Sequence, residues 1–196
     1  PAQYSNLPIM RLAPANVSSL EGLLYPDSFD RTPVTPASDI ITQSLTAMYE
    51  HLTPSLQQAL GNHGLTPYQG IIMASIVEQE VSQQTDRAQA AQVFLSRLKQ
   101  NISLGSDVTA FYGSVAAGKT PSLHYDSPYN TLLHPGLPVG PISTVSDSSL
   151  QAVAYPASTD WLFFVAGDDG TTYFSRTLAE HQALTNAHCH KLCSAQ

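Results

Sequence analysis

Apolar positions fall at helical spacing through the first half of the chain and at strand spacing only near its end. Ile41, Leu45, Met48, Leu52 and Leu56 recur every three to four residues. They predict a helix opened by Ser38 or Asp39 and broken near Pro54. Thr66-Pro67-Tyr68-Gln69 carries three start signals together: an N-cap, a proline for the first helical position and a capping-box glutamine. The run Ile71, Ile72, Ala74, Ser75, Ile76, Val77 that follows is apolar almost all round, which predicts a buried central helix. A third helix is expected after Thr85, through Ala91, Phe94, Leu95 and Leu98. From Asn101 to Thr144 the chain is dense in Gly, Pro, Ser and Tyr and reads as loops and short strands. Ser146 can cap a short helix reaching Val153. Trp161–Ala166 reads as a buried strand, Asp169-Gly170 as a hairpin turn, and Thr171–Phe174 as the return strand. Thr177-Leu178-Ala179-Glu180 is a second capping box opening a last helix. Residues 1–37, with six prolines, read as an extended segment packed on a domain formed by 38–196. The expected fold is a mostly helical α+β domain with a small antiparallel sheet and long Pro/Gly-rich loops.

Composition narrows the function. The 196 residues hold 8 Lys+Arg against 15 Asp+Glu, a net charge of −7. That balance argues against broad nucleic-acid binding and against holding an anionic membrane by charge alone. With 42% apolar and 12% charged residues the chain can build a core. The longest apolar runs, Gly70–Val77 and Trp161–Gly167, are core-sized and well short of a membrane span.

Four candidates for chemistry stand out. Glu78 follows seven uninterrupted residues of the buried helix. Burial would raise its pKa, as a general acid at neutral pH requires; the alternative is that the helix turns toward water there. Glu80 lies about 200° further round the helix and should not share Glu78's pocket. Gly113–Thr120 fits the P-loop spacing, but Pro121 and the aperiodic residues after it do not read as the helix such a loop opens. His181, His188, Cys189, His190 and Cys193 crowd the C-terminus without the spacing of a zinc site; a tail with a local disulfide is the favoured reading. Tyr129 and Asn130, in Ser127-Pro128-Tyr129-Asn130-Thr131, offer a stacking face beside an amide, suited to sugar, or else form a turn in which Asn130 bonds its own backbone. Asp107 and Asn130 are expected to line one cleft with Glu78.

Several blocks, in order, resemble the endolytic murein transglycosylases of the YceG-like type. They are Leu20–Phe29, Ala74-Ser75-Ile76-Val77-Glu78-Gln79-Glu80, Val93–Leu98, Ser106–Gly113, Asp126–Thr131, Pro135–Ile142, Tyr173-Phe174-Ser175 and Thr177–His181. Departures from the family pattern fall at Val81, Ser96, Gly105, Val108 and Gln182. The resemblance implies a peptidoglycan-cleaving domain in which Glu78 is the lone acid/base, without metal or cofactor. It would protonate the oxygen between MurNAc and GlcNAc, and the MurNAc C6 hydroxyl would close a 1,6-anhydro ring. It further implies substrate contacts at Ser106, Asp107, Tyr129, Asn130, Ser175 and His181. The implied partners are peptidoglycan glycan strands and the wall-synthesis machinery, at the extracytoplasmic face of a bacterial inner membrane. The N-terminal membrane helix and LysM-like domain of that family have no counterpart in these residues. The competing readings are a hydrolytic muramidase with Asp107 as second carboxylate, a P-loop nucleotide hydrolase, and a catalytically silent wall-binding module.

Overall fold

The central helix forms where its caps and apolar run place it, and the other elements gather round it. The computed structural model describes residues 1–194. In chain order the elements are α1 Ala37–His51, α2 Pro54–Asn62, α3 Pro67–Glu80, α4 Arg87–Lys99, α5 Asp107–Ala116, α6 Asp147–Ala154, β1 Phe163–Ala166, β2 Thr172–Ser175, α7 Leu178–His188 and α8 Lys191–Ser194. The fold is a mostly helical α+β domain with a two-stranded antiparallel sheet.

The Thr66–Gln69 capping box closes in both directions, and every residue from Gly70 to Val77 is buried. A helix with no wet face must be covered on all sides, and α2, α4, α5 and α6 pack around α3. Pro54 does separate α1 from α2, with Thr53 accepting a cap bond from Leu56. The start of α1 differs from expectation. It begins at Ala37 after Pro36, whose backbone is extended and whose side chain can make no cap bond, so Ser38 and Asp39 lie inside the first turn. Before α1 the chain makes two short 3-10 turns, Ala2–Tyr4 and Pro8–Arg11, the second against α1. Ile9 and Leu23 are fully buried there. Ser44 donates to the Tyr25 carbonyl at 2.9 Å.

The largest departure is α5, where loops and short strands were expected. Its fully buried residues, Thr109, Ala110, Gly113 and Ser114, are small and two of them polar, while Val108 and Tyr112 pack only partly buried against the core. The Thr109 hydroxyl pairs with that of Thr131 at 2.8 Å. A β-carbon at Gly113 would run into the Ser127 hydroxyl, so the absent side chain lets the 127–131 loop lie against the helix. The P-loop reading fails on the same segment. Gly113 to Ala116 are the end of α5, and Lys119 and Thr120 are exposed beyond it rather than opening a helix.

The hairpin forms as the Asp169-Gly170 signal predicts, Phe163 pairing with Ser175 and Ala166 with Thr172. Gly170 takes the left-handed conformation its turn needs. Thr177 and Glu180 close the second capping box, and α7 packs on the sheet.

Three helix ends meet at Glu78. Its Oε1 accepts from Arg87 Nη2 at 2.8 Å, and its Oε2 from Ser146 N at 2.9 Å, Ser146 Oγ at 2.6 Å and Ser149 Oγ at 2.7 Å. Arg87 opens α4, and Ser146 is the N-cap of α6. The carboxylate therefore ties the end of α3 to the starts of α4 and α6, where a helix N-terminus favours negative charge. The Arg87 and Glu78 side chains are only 8% and 21% exposed, so each depends on the other for its charge. Glu78→Ala should cost about 3 kcal/mol or more in urea unfolding, by leaving Arg87 buried and unpaired. Glu78→Gln, which keeps an acceptor, should cost less.

Candidate active site

Position along α3 sets the surroundings of its two terminal carboxylates. Glu78 and Glu80 are two residues apart, about 200° around the helix, so they leave it on opposite flanks. Glu78 turns into the α4–α6 clamp. Burial alone would raise its carboxyl. Hydrogen bonds from Ser146 and Ser149 and the Arg87 charge outweigh that and hold it below its ordinary value. Expected as a buried, protonated acid, Glu78 is instead an ionised group whose oxygens are already committed.

Glu80 turns toward a cavity of about 480 Å3. Its wall is built from α4 (Phe94, Arg97), the α4–α5 connection and α5 start (Leu104, Gly105, Asp107), β1 (Phe164, Val165, Ala166), α7 (His181, Thr185) and the tail (Cys189, Leu192, Cys193). Burial raises the Glu80 carboxyl to about 7, and the Asp107 charge adds to this, against a hydrogen bond from Ser106 and the Arg97 charge. Ser106 Oγ donates to Glu80 Oε1 at 2.6 Å. Asp107 is also raised by burial.

Arg97 is close by without capturing Glu80. Its Nε donates to the Leu162 carbonyl and its Nη1 to that of Leu104, both at 2.7 Å. The guanidinium lies 4.9 Å from the Phe163 ring centroid. Gly105, at φ +64°, makes room for it; a β-carbon there would lie 2.9 Å from Arg97 Nη1. His181 stacks on the same Phe163 ring, centroids 5.5 Å apart. Burial and the Arg97 charge lower its pKa, so the imidazole is neutral near pH 7. Two polar atoms here have no partner although buried, His181 Nδ1 and Ser175 Oγ. Ser175 sits opposite Phe163 in the hairpin register. A buried polar group without a partner costs stability and calls for an explanation.

The remaining expected residues separate. Asn130 is fully buried. Its Nδ2 donates to the Leu123 and Tyr125 carbonyls, and its Oδ1 accepts from Leu132 N. It pins the 123–132 loop and does not share a cleft with Glu78 or with Asp107. Tyr129 packs against Tyr112, ring centroids 4.8 Å apart, and lines a smaller cavity of about 180 Å3 with Tyr68, Glu21 and Gly140. Tyr68 lies twelve residues before Glu80 on α3, about 18 Å along the axis. Of the six expected contacts, Asp107 and His181 line the Glu80 cavity and Ser106 bonds Glu80, whereas Ser175 is buried opposite Phe163 and does not itself line the cavity. The cluster of His and Cys at the tail resolves into separate roles. Cys189 and Cys193 are joined in a disulfide, and His188 stacks on Tyr173 at 3.8 Å. The residues that sequence reasoning passed over are Glu80 and Arg97. The one signal for Glu80 was that it, too, interrupts an otherwise apolar helix end.

The chain has relatives. The model of the YceG-like family matches residues 3–187. A Bacillus subtilis protein named endolytic murein transglycosylase is 34% identical over 169 residues, 83% of this chain and 46% of that protein. A Streptococcus pneumoniae protein of the same name is 29% identical over 171 residues, 83% of this chain and 31% of that protein. The chain thus spans about half the length, or less, of these curated relatives. The crystal structure of a yceG-like protein from Listeria monocytogenes superposes with a TM-score of 0.78 at 34% identity, covering 93% of this chain and 62% of that one. A match over nearly the whole chain, with the same fold in a solved relative, places this protein in the YceG-like family.

Proposed function

We propose that this chain is the catalytic region of a lytic transglycosylase that cleaves the MurNAc–GlcNAc bond of peptidoglycan glycan strands, with Glu80 as its acid/base. The observation that carries the assignment is Glu80's carboxyl, raised to about 7 at the wall of a cavity, while Glu78 is ionised and fully engaged. The names of the relatives supply the substrate class. Protonated Glu80 gives its proton to the glycosidic oxygen as the C1–O bond breaks. The MurNAc C6 oxygen bonds C1, and its proton returns to Glu80. No water is consumed, and an intramolecular nucleophile gains from proximity. His181 Nδ1 accepts from a substrate N–H or O–H, and Ser175 Oγ meets a second polar group of the sugar or its peptide. The work takes place outside the cytoplasm, where the wall is.

One observation favours a second reading. Asp107 lines the same cavity as Glu80, and paired carboxylates are what a hydrolytic muramidase uses. Product mass separates the two: the anhydro end is lighter by one water than the hydrolysed end.

Glu80→Gln should lower glycan cleavage by about 10²-fold or more, because general acid–base catalysis is lost. Glu78→Gln should leave cleavage per folded molecule within a few-fold of the parent. The opposite pattern would overturn the assignment. Because the active form is protonated, cleavage should also fall as pH rises through about 7.

Stability should move the other way from activity in Glu80→Gln. A carboxyl raised above its ordinary 4.5 in the fold resists ionising there. Stability is therefore lost as pH rises from about 4.5 through about 7. The glutamine cannot ionise, so the variant should melt at or above the parent temperature at pH 8. For Glu78, lowered in the fold, the sign reverses: its contribution is complete above 4.5 and disappears as acid titrates it.

A further inference from the structure

Ser106 stands at the N-cap of α5, a position where serine normally accepts a hydrogen bond from the helix's own first turn. It makes no such bond. Its hydroxyl is instead spent on Glu80 Oε1 at 2.6 Å. A side-chain cap normally stabilises its helix, so the diversion calls for a reason. The residue is also held unusually firmly for a loop end. Its backbone N donates to Thr131 Oγ1 at 3.1 Å, and its carbonyl accepts from Thr109 Oγ1 at 2.6 Å. Those two threonines bond each other at 2.8 Å. The hydroxyl that reaches Glu80 is thus aimed by a buried threonine pair, and the next residue, Asp107, is brought to the same cavity wall.

We propose that Ser106 and Asp107 are a matched pair of positioning residues that set when Glu80 carries its proton, one favouring the ionised carboxylate and the other the neutral acid. Ser106 donates to the carboxylate and so favours charge on it. Asp107, when ionised, repels that charge. A group that must be acid and then base in one turnover works best when neither form is strongly preferred, and two neighbours of opposite effect on one helix end supply that balance. Among the described residues, the other charged or titratable groups facing the cavity are Arg97 from α4 and His181 from α7. Arg97 is tethered to two backbone carbonyls, and His181 is neutral near pH 7, its pKa lowered by burial and by the Arg97 charge. From β1 come only Phe164, Val165 and Ala166, and the tail cysteines are in a disulfide and do not titrate. This inference rests on Glu80 being the acid/base.

The test is a pair of variants with opposite expected signs. The Glu80 side-chain carboxyl is titrated by carbon NMR in the parent, Ser106→Ala and Asp107→Asn, alongside pH profiles of glycan cleavage. Ser106→Ala should move the Glu80 midpoint, and the alkaline limb of the profile, upward by about 0.5 unit or more. Asp107→Asn should move both downward by a similar amount. KM should change less than kcat in each. Midpoints that stay put, or move in the same direction in both variants, would overturn the inference. A residue that only shaped the loop would lower melting temperature and activity uniformly across pH. The NMR midpoint reads the proton even where turnover is lost. Glu80→Gln keeps the two questions apart: if that variant still cleaves glycan, the acid/base assignment fails, whereas unmoved midpoints beside an inactive Glu80→Gln defeat only the role given to Ser106 and Asp107.

Discussion

The molecule is organised by one ion pair, Glu78 with Arg87. α3 is buried along its length, so its end cannot be fixed by solvent-facing side chains. It is fixed by a carboxylate that gathers the first residue of α4 and the first turn of α6. A buried pair adds little net stability over an apolar substitute, yet breaking it costs dearly. Its value here is geometric. Holding Glu78 also sets the rotation of α3, and with it the direction in which Glu80 leaves the helix two residues later.

The site follows from that rotation. One helix end carries two carboxylates whose surroundings shift their titration in opposite directions. Glu78 meets donors and a cation and stays charged; Glu80 meets apolar walls, a single hydroxyl and a neighbouring carboxylate, and resists charging. Separation of paired titratable groups in this manner is how acid and base roles are usually distinguished. Arg97 lies nearby, and its charge favours the ionised form of Glu80, but its Nε and Nη1 donate to the Leu162 and Leu104 carbonyls.

Much of this was legible in the sequence, and the failures have physical causes. The two capping boxes, the break at Pro54 and the Asp169-Gly170 turn are local signals whose partners lie within a few residues, and all formed. α5 was hidden because its buried residues, Thr109, Ala110, Gly113 and Ser114, are small and lie in a stretch rich in Gly, Ser and Pro. The different surroundings of Glu78 and Glu80 were hidden for a different reason. Both interrupt an apolar helix, and burial is the only term a sequence suggests. The deciding partners, Ser146 and Ser149, lie 68 and 71 residues away, and nothing local links them to Glu78. Asn130 shows the converse: the sequence offered both a binding role and a turn-fixing role, and its three loop bonds agree with the second.

The central claim is that two carboxylates on one helix end titrate far apart, Glu80 raised and Glu78 lowered, and it can be measured without substrate. Carbon NMR titration of the parent protein, with the two glutamates assigned by substitution, reads each carboxyl directly. The account predicts a midpoint near 7 for Glu80 and one below 4.5 for Glu78. A Glu80 midpoint in the ordinary carboxylate range, or a Glu78 midpoint above it, would contradict the account.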